Sequence, residues 1–246
     1  MIAIMRDVSK RYSNGQLAVN KLNLEVRQGE ILGLLGPNGA GKSSSIKMLC
    51  GLLEADSGAI QILGQKQGMK NLSLRKHLGL VTQEITVFND LSAYENLMYF
   101  GSLYGLRGTQ LKNNVAEMLA FVGLSERAKD KPTTFSGGMQ RRLNIACALV
   151  HKPDLVIMDE PTVGIDPQSR NHILEAIKKL NQTGTTVIYT SHYMEEIQAI
   201  CNRVSIMDKG QVIAEGTIDE LLSANQKENL EDVFLHLTGT SLRDFE

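Results

Sequence analysis

The sequence lacks a long apolar run, a strong net charge and a patterned set of cysteines, and each absence excludes a class of protein. No stretch approaches the ~20 apolar residues of a membrane-spanning helix, so we expect any work at a membrane to go through a partner. The 26 basic and 27 acidic residues nearly cancel, which excludes a general positive field, and we expect no nucleic-acid partner. Cys50, Cys147 and Cys201 lie in apolar stretches without metal-ligand spacing, which predicts reduced core thiols in a cytosolic protein. Asp7 falls where a signal peptide would need its apolar run, so we expect none.

The composition is that of an ordinary globular protein, and apolar and polar residues alternate near the start of the chain. The chain has 246 residues, 42% of them hydrophobic, which is enough to bury a full core. Leu22, Leu24 and Val26 alternate with polar residues, and Asn14-Gly15 marks a turn, so the first residues predict antiparallel β structure. Residues 31–35 are continuously apolar, as in a strand buried on both faces, and they lead into a glycine-rich loop and a helix.

The rest of the chain divides into further strands and a helical insertion. Apolar runs at 155–158 and 187–189 predict two more buried strands, and residues 204–214 predict a hairpin. Between 91 and 150 the apolar residues have helical spacing instead. We therefore expect one domain over residues 1–246, whose parts follow in order. The α/β core takes residues 1–90 and 151–222, the helical subdomain 91–150, and a C-terminal helical tail 223–246.

The glycine-rich loop fits the P-loop pattern of nucleotide-binding proteins. Its glycines let backbone N–H groups turn inward around a phosphate, and the following helix directs its positive end at the same anion. Lys42 would reach the β- and γ-phosphates, and the hydroxyl of Ser43 would bind Mg²⁺. The loop predicts a P-loop NTPase fold and binding of ATP with Mg²⁺. The residues expected at the nucleotide are Gly36, Pro37, Asn38, Gly39, Ala40, Gly41, Lys42, Ser43 and Ser44.

Two acids end the apolar run at 155–158. Because consecutive strand residues face opposite ways, we expect Asp159 and Glu160 to have different roles. The P-loop precedent assigns Asp159 to Mg²⁺, which leaves Glu160 to polarise the attacking water. The pair predicts hydrolysis as well as binding.

Residues 134–142, Thr-Phe-Ser-Gly-Gly-Met-Gln-Arg-Arg, form a second candidate anion site. Ser136 can cap the following helix, and the amides of Gly137 and Gly138 stay unshielded. This segment resembles the signature motif of ABC ATPases, although Met139 and Phe135 stand where many members have glutamine and leucine. Because the serine and both glycines are kept, we expect this site to function despite the two departures.

Other residues match that family in its own order, over residues 4–222. Tyr12 stands where the family stacks an aromatic ring on adenine, although a tyrosine near a strand end is also a packing residue. Gln83 matches the Q-loop glutamine, which links the metal to the partner-contacting subdomain. Asp166, in Gly164-Ile165-Asp166, is similar to the D-loop residue near the nucleotide, and His192 to the switch histidine that contacts the γ-phosphate.

The resemblance implies a fold, an activity and partners. The fold is an α/β P-loop NTPase with a RecA-like mixed sheet, an N-terminal antiparallel β part and an inserted helical subdomain. The activity is ATP hydrolysis in a sandwich of two subunits, either a homodimer or a pair with a paralogous ATPase. The signature of each subunit would close over the nucleotide of the other. The sandwich would act at the cytoplasmic face of the membrane through a separate permease subunit.

The methionine of the signature and the tail at 230–239 are similar to the exporter branch whose permeases are of the ABC-2 type. The alternative within the family is an ATPase of translation or DNA repair, but those resemble paired domains or long coiled-coil insertions that this chain lacks. A P-loop kinase would not need Gln83 or the signature. A nucleotide-binding scaffold would not need Glu160.

Several charged and aromatic residues are interpreted as structural or surface residues, or as contacts with a partner, and not as part of the nucleotide site. We expect the pair Arg141-Arg142 to form an exposed helix face rather than a nucleic-acid contact. Phe88 and Tyr94 would either line a groove for a partner or pack in the core. The histidines other than His192 are interpreted as structural or surface residues; they are His77, His151, His172 and His236.

Overall fold

The computed structural model describes residues 1–239, so the last seven residues of the predicted tail (240–246) lie outside the described residues. Within that range the strands are β1 (Ala3–Arg11), β2 (Leu17–Val26), β3 (Ile31–Leu35), β4 (Ser57–Ile62), β5 (Gln65–Lys66), β6 (Leu78–Val81), β7 (Leu155–Asp159), β8 (Thr186–Thr190), β9 (Arg203–Asp208) and β10 (Gln211–Gly216). The helices are α1 (Lys42–Leu49), α2 (Ala93–Leu103), α3 (Gly108–Phe121), α4 (Gly137–Leu149), α5 (Pro167–Gln182), α6 (Met194–Ile200), α7 (Ile218–Asn225) and α8 (Leu230–Thr238).

The first sheet is antiparallel and has the strand order β2-β1-β4-β5. The alternation predicted for β2 is confirmed, because Leu22, Leu24 and Val26 are buried while the residues between them are exposed. The turn between β1 and β2 is closed by a hydrogen bond from the Gly15 amide to the Tyr12 carbonyl at 2.9 Å. Gly15 has a φ of 86°, which glycine adopts without strain. This turn places Tyr12 at the end of β1.

The second sheet has the strand order β10-β9-β3-β8-β7-β6 and confirms the predicted mixed sheet. Five strands are parallel, and β10 pairs antiparallel with β9 as the predicted hairpin. The strand β6 was missed, since it is short and carries a glycine. A Cβ at Gly79 would lie 2.7 Å from the carbonyl oxygen of Ala148, so only glycine lets β6 pack this closely against α4.

The predicted helical insertion corresponds to α2, α3 and α4. Leu97 of α2, Val115 of α3 and Leu143 of α4 belong to the same hydrophobic cluster as Val156 and Val187 of the parallel sheet. The helices are thus packed onto the sheet by shared apolar burial. The division of the chain at residues 90 and 150 stays a prediction. None of the helices described is long and apolar enough to span a bilayer.

The parallel strands bring the predicted site residues to one edge of the sheet. Carboxyl ends of parallel strands meet at a common edge, where α/β proteins bind ligands. The P-loop follows β3, Gln83 follows β6, Asp159 ends β7 and His192 follows β8. Asp159 is in register with Thr190, which ties the ends of β7 and β8 together.

Candidate active site

The P-loop is held in shape by two glycines that no larger residue can replace. A Cβ at Gly36 would lie 2.6 Å from the carbonyl oxygen of Met207, so the loop packs directly on β9. Gly41 has a φ of 101°, and its Cβ would lie 2.4 Å from the carbonyl oxygen of Ala18. The backbone therefore turns tightly before α1 begins at Lys42. This arrangement directs the amino end of α1 toward the sheet edge, where an anion is favoured.

Lys42 is the cation of this loop. Its Nζ donates hydrogen bonds to the carbonyl oxygens of Gly36 at 2.5 Å and Pro37 at 3.2 Å. Burial lowers the pKa of Lys42, and the nearby carboxylates of Glu160 and Asp159 act in the opposite direction. A partly desolvated ammonium held by neutral carbonyls is ready to exchange them for a charged phosphate.

Asp159 is fixed by Thr190. Its Oδ1 accepts a hydrogen bond from the Thr190 hydroxyl at 2.8 Å, and the same hydroxyl oxygen accepts from the Glu160 amide at 2.9 Å. Burial raises the pKa of Asp159, while the hydrogen bond from Thr190 lowers it. Thr190 therefore holds the carboxylate of Asp159 and the backbone of Glu160, a role that the sequence pattern did not indicate.

Glu160 lies beside His192. One carboxylate oxygen is 2.5 Å from Nε2 of His192, and both side chains are largely buried. Glu160 is outside β7 and has a φ of 50°, so the expectation that strand alternation separates the two acids was wrong in its cause. Glu160 itself has this left-handed backbone directly after the strand end, and this takes it out of the alternation of β7.

Lys42, Glu160 and His192 line one cleft of roughly 770 Å³, whereas Asp159 and Thr190 lie outside its lining. Tyr12 is at its rim, 37% exposed, and its hydroxyl is 3.0 Å from the Ser44 hydroxyl. The lining takes in the whole P-loop except Gly36 and also brings in Gln83, Glu160 and His192 from three other loops. The residues that line it are Tyr12, Gln16, Ala18, Pro37, Asn38, Gly39, Ala40, Gly41, Lys42, Ser43, Ser44, Gln83, Glu160, Val163, His192 and Tyr193.

The signature residues lie elsewhere. None of Ser136, Gly137, Gly138 and Asp166 is among the described residues that line the cleft. Ser136 caps α4 by accepting from the Met139 amide at 3.3 Å, and Ser136 and Gly137 are exposed. A Cβ at Gly138 would lie 2.2 Å from the Ser169 hydroxyl and 3.4 Å from a carboxylate oxygen of Asp166. The predicted residues thus form two separate groups, one around the P-loop and one at the start of α4.

Comparison with known proteins identifies the family. The family model described as "ABC transporter" matches residues 19–163. The linearmycin resistance ATP-binding protein LnrL of Bacillus subtilis (strain 168) is 54% identical over 217 residues, which cover 88% of this chain and 70% of that protein. The chain belongs to the ABC transporter family. It is therefore an ATP-binding subunit that hydrolyses ATP, and the resemblance of the signature segment to this family is confirmed.

Further relatives and solved structures support the same family assignment. The Nod factor export ATP-binding protein I of Cupriavidus metallidurans is 42% identical over 89% of this chain and 72% of its own length. The doxorubicin resistance ATP-binding protein DrrA of Mycobacterium tuberculosis (strain ATCC 25618 / H37Rv) is 35% identical over the full chain and 73% of its own length. A solved ATP-binding subunit of an ABC transporter superposes with a TM-score of 0.87 at 28% identity, over 96% of this chain and 99% of that one. An ATP-binding cassette solved as a dimer with ADP and Pi gives a TM-score of 0.79 at 27% identity, over 87% and 98%.

One expectation about this ABC subunit was wrong. Arg141 is not on an exposed helix face, because it is only 4% exposed and donates to the carbonyl oxygens of Thr82 at 2.8 Å and Gln83 at 2.5 Å. Its neighbour Arg142 is half-buried and donates to the carbonyl oxygen of Val122 at 2.7 Å. We predicted an exposed Arg141 because arginine is charged. In the structure the segment that follows β6 covers it.

A buried glutamate was missed altogether. Glu196 of α6 is 2% exposed and accepts hydrogen bonds from the hydroxyls of Thr162 at 2.8 Å, Tyr189 at 2.8 Å and Ser191 at 2.6 Å. Thr162 follows Glu160 closely, and Ser191 precedes His192. Glu196 thus fixes the two loops that carry Glu160 and His192.

The other histidines behave as structural or surface residues where the structure shows their contacts. His151 stacks on Tyr104 with ring centroids 3.6 Å apart, and its Nε2 is 3.0 Å from the carbonyl oxygen of Leu78. Burial lowers the pKa of His151 to about 4, so it is neutral at physiological pH. His77 lies 2.6 Å from a carboxylate oxygen of Asp154 at the surface.

Proposed function

We propose that this subunit powers export of a substrate through a separate, ABC-2 type permease at the cytoplasmic face of the membrane. The observation that carries the proposal is the single cleft that gathers Lys42, Ser43, Gln83, Glu160 and His192. The printed names of the relatives add the direction of transport, since one is a Nod factor export protein and two are resistance proteins. The permease would select the substrate.

Mg²⁺ would enter with the nucleotide. Within residues 1–239 no three His, Cys, Asp or Glu side chains are grouped so that they could hold a metal. The residues present suit a metal that brings phosphate oxygens with it, because the Ser43 hydroxyl lines the cleft and the Asp159 carboxylate lies at the adjacent strand end. We infer that Ser43, Gln83 and Asp159 hold it. Bound there, Mg²⁺ would neutralise charge on the phosphates.

The remaining residues of the cleft have distinct tasks. Tyr12, which is partly exposed at the rim of the cleft, would stack on the adenine ring. Lys42 would exchange its hydrogen bonds to the P-loop carbonyls for bonds to the phosphates. Glu160 would accept the proton of the attacking water. His192, which contacts Glu160 in this structure, would orient that carboxylate and reach the γ-phosphate when the cleft is filled.

The signature residues require a second subunit. Ser136 and Gly137 are exposed at the amino end of α4, where backbone N–H groups favour an anion, yet they are not part of the cleft of their own chain. We propose that they complete the cleft of a second subunit, identical or paralogous, and that Asp166 beside them acts across the same interface. Each dimer would then contain two composite sites.

Mixing two inactive variants should restore part of the ATPase activity. In a heterodimer of Ser136→Arg and Lys42→Ala subunits, one site carries both lesions and the other carries neither. About half of the wild-type turnover per dimer is expected if the intact site works alone. Purified tandem-tagged heterodimers should be assayed for phosphate release.

Each parental homodimer serves as the control, because both of its sites carry a lesion. Turnover in the heterodimer no higher than in either parent would contradict composite sites. An active Ser136→Arg homodimer would show that the signature does not act on the nucleotide at all.

The surface next to Gln83 suits a membrane partner. Phe88 and Tyr99 are each 44% exposed and pack edge to face with ring centroids 5.0 Å apart, and Phe100 completes the cluster. Exposed aromatic groups of this kind are enriched where proteins bind one another. We propose that this surface, within residues 84–100, contacts a cytoplasmic segment of the permease.

A cysteine at Asn89 should crosslink to a multi-spanning membrane protein. The natural thiols will interfere little, because burial raises the pKa of Cys50 to about 12 and also raises those of Cys147 and Cys201. The crosslinked product in membranes of the native host is identified by mass spectrometry. Adding that protein in proteoliposomes should stimulate the ATPase.

The matched control is Gln211→Cys, an exposed position on β10, which is the edge strand of the mixed sheet farthest from β6. A crosslink from Asn89→Cys to ribosomal or DNA-repair proteins, with no membrane protein found, would favour the non-transport alternative.

A further inference from the structure

The turn between β1 and β2 contributes three residues to the lining of the cleft, and one of them has no task in the site described above. The three are Tyr12, Gln16 and Ala18. Ala18 offers only a methyl group, and the hydroxyl of Tyr12 is 3.0 Å from the hydroxyl of Ser44. A glutamine carboxamide carries both N–H donors and a carbonyl acceptor. Gln16 is therefore the residue of this turn that can recognise the edge of a ligand.

The backbone of Gln16 is fixed while its side chain is free. Its carbonyl oxygen accepts from the Tyr12 amide at 2.9 Å, and its amide donates to Oδ1 of Asn14 at 3.0 Å. Tyr12 and Gln16 are thus the closing pair of the hairpin turn. Gln16 is exposed, and its carboxamide makes no hydrogen bond to any of residues 1–239. The turn therefore holds an unused carboxamide next to the ring of Tyr12.

The turn is also held against the P-loop. A Cβ at Gly41 would lie 2.4 Å from the carbonyl oxygen of Ala18, so the two segments pack backbone to backbone. The contact of Tyr12 with Ser44 is only two residues from Lys42. A nucleotide whose phosphates lie at Lys42 would extend its base toward this turn.

The ring of Tyr12 cannot choose among bases by stacking alone, because every base presents a π-face. Selection needs a contact with the base edge, and the purines differ there. Adenine presents a donor, its N6 amino group, beside the acceptor N7, whereas guanine presents two acceptors, O6 and N7. A carboxamide pairs with both groups of adenine, the carbonyl accepting from N6 and the amino group donating to N7. It satisfies only one of the two acceptors of guanine.

We infer that Gln16 is a specificity-determining residue that selects adenine over guanine by pairing with N6 and N7 of a base stacked on Tyr12. The inference rests on the proposed role of Tyr12 at the nucleotide. Since the pair would be open to water, its net contribution is modest. We expect a preference for the adenine nucleotide of roughly fivefold to tenfold.

The experiment measures the Kd of three diphosphates, whose use avoids hydrolysis during the titration. Calorimetry with Mg-ADP, Mg-GDP and the magnesium complex of 7-deaza-ADP, which lacks only the N7 acceptor, is performed on the wild type and on Gln16→Leu. The wild type should bind ADP roughly fivefold to tenfold more tightly than either of the others. In Gln16→Leu the affinity for ADP should fall to that of the other two, whose own affinities should change by at most about twofold.

Two further variants distinguish recognition of the base from an effect on the turn. Gln16→Arg presents donors that suit O6 and N7 of guanine, so it should reverse the preference and favour GDP. Gln65→Leu is the matched control, since Gln65 is an exposed glutamine of β5 in the same antiparallel sheet and is outside the cleft. It should bind all three nucleotides like the wild type. The hydrogen bonds that close the turn are made by the backbone of Gln16, so these substitutions leave them in place.

Equal affinities of the wild type for the three diphosphates would overturn the inference. Equal losses for all three in Gln16→Leu would also overturn it, because Gln16 would then shape the turn without reading the base. Failure of the proposed nucleotide site is recognised separately, as a wild-type chain that binds none of the three. Undiminished ADP binding in Tyr12→Ala would remove the stacking platform and the inference with it.

Discussion

Glu160→Gln should keep ATP binding and lose roughly 10²–10⁴-fold of the hydrolysis rate, the usual contribution of a general base. Glutamine keeps the size of the side chain and can still contact Nε2 of His192, which is 2.5 Å from the carboxylate in the wild type. It cannot accept the proton of the attacking water. Because the P-loop and Asp159 are untouched, the affinity for Mg-ATP should change little. Phosphate release measures the first effect, and equilibrium dialysis with labelled ATP measures the second.

The matched control is Glu195→Gln, an exposed glutamate in the first turn of α6 that is outside the cleft. Its turnover should equal that of the wild type. Near-normal turnover in Glu160→Gln would mean that another group activates the water, and His192 would be the first candidate because of its contact with Glu160.

Lys42→Ala should weaken ATP binding by roughly 10²-fold or more and abolish measurable turnover. The ammonium lies within the P-loop, bonded to the carbonyls of Gly36 and Pro37, and is partly desolvated there. A charge pair about 4 Å apart near a protein surface is worth about 4 kcal/mol, which sets the scale of the loss. Titration calorimetry with Mg-ATP gives the change in Kd.

Lys47→Ala is the control for that variant, since Lys47 is an exposed cation in the last turn of the same helix α1. Its ATP affinity should remain within about twofold, because exposed charges are screened by solvent and salt. Equal losses in the two variants would indicate that the overall charge of α1, and not the P-loop ammonium, binds the phosphates.

The parts of the site that depend on local sequence could be predicted, and the parts that depend on packing could not. The P-loop was predicted because its glycines and Lys42 lie within one short segment, residues 36–42, between an apolar run and a helix. The contact of Glu160 with His192 joins two strand ends, and the bridging role of Thr190 follows only from the register of β7 and β8.

The misplacement of Arg141 has a specific physical reason. A charged residue in a polar segment predicts exposure, and nothing in its neighbours shows that the segment after β6 will cover it. β6 itself was missed because Gly79 interrupts a run of only four residues, although glycine is what its packing against Ala148 requires. Glu196 was missed because its burial depends on packing between two strand ends, since Thr162 follows β7 while Tyr189 and Ser191 lie at the end of β8.

The claim that two subunits share each nucleotide is tested most directly by the mass of Glu160→Gln in the presence of Mg-ATP. Because this variant binds ATP without hydrolysing it, the closed sandwich should accumulate and light scattering should give twice the mass of one chain. Each dimer should contain two intact ATP molecules, and adding Ser136→Arg to the same chain should return the mass to that of the monomer. A Glu160→Gln subunit that holds ATP but stays at the monomer mass, both alone and together with its permease, would contradict the account.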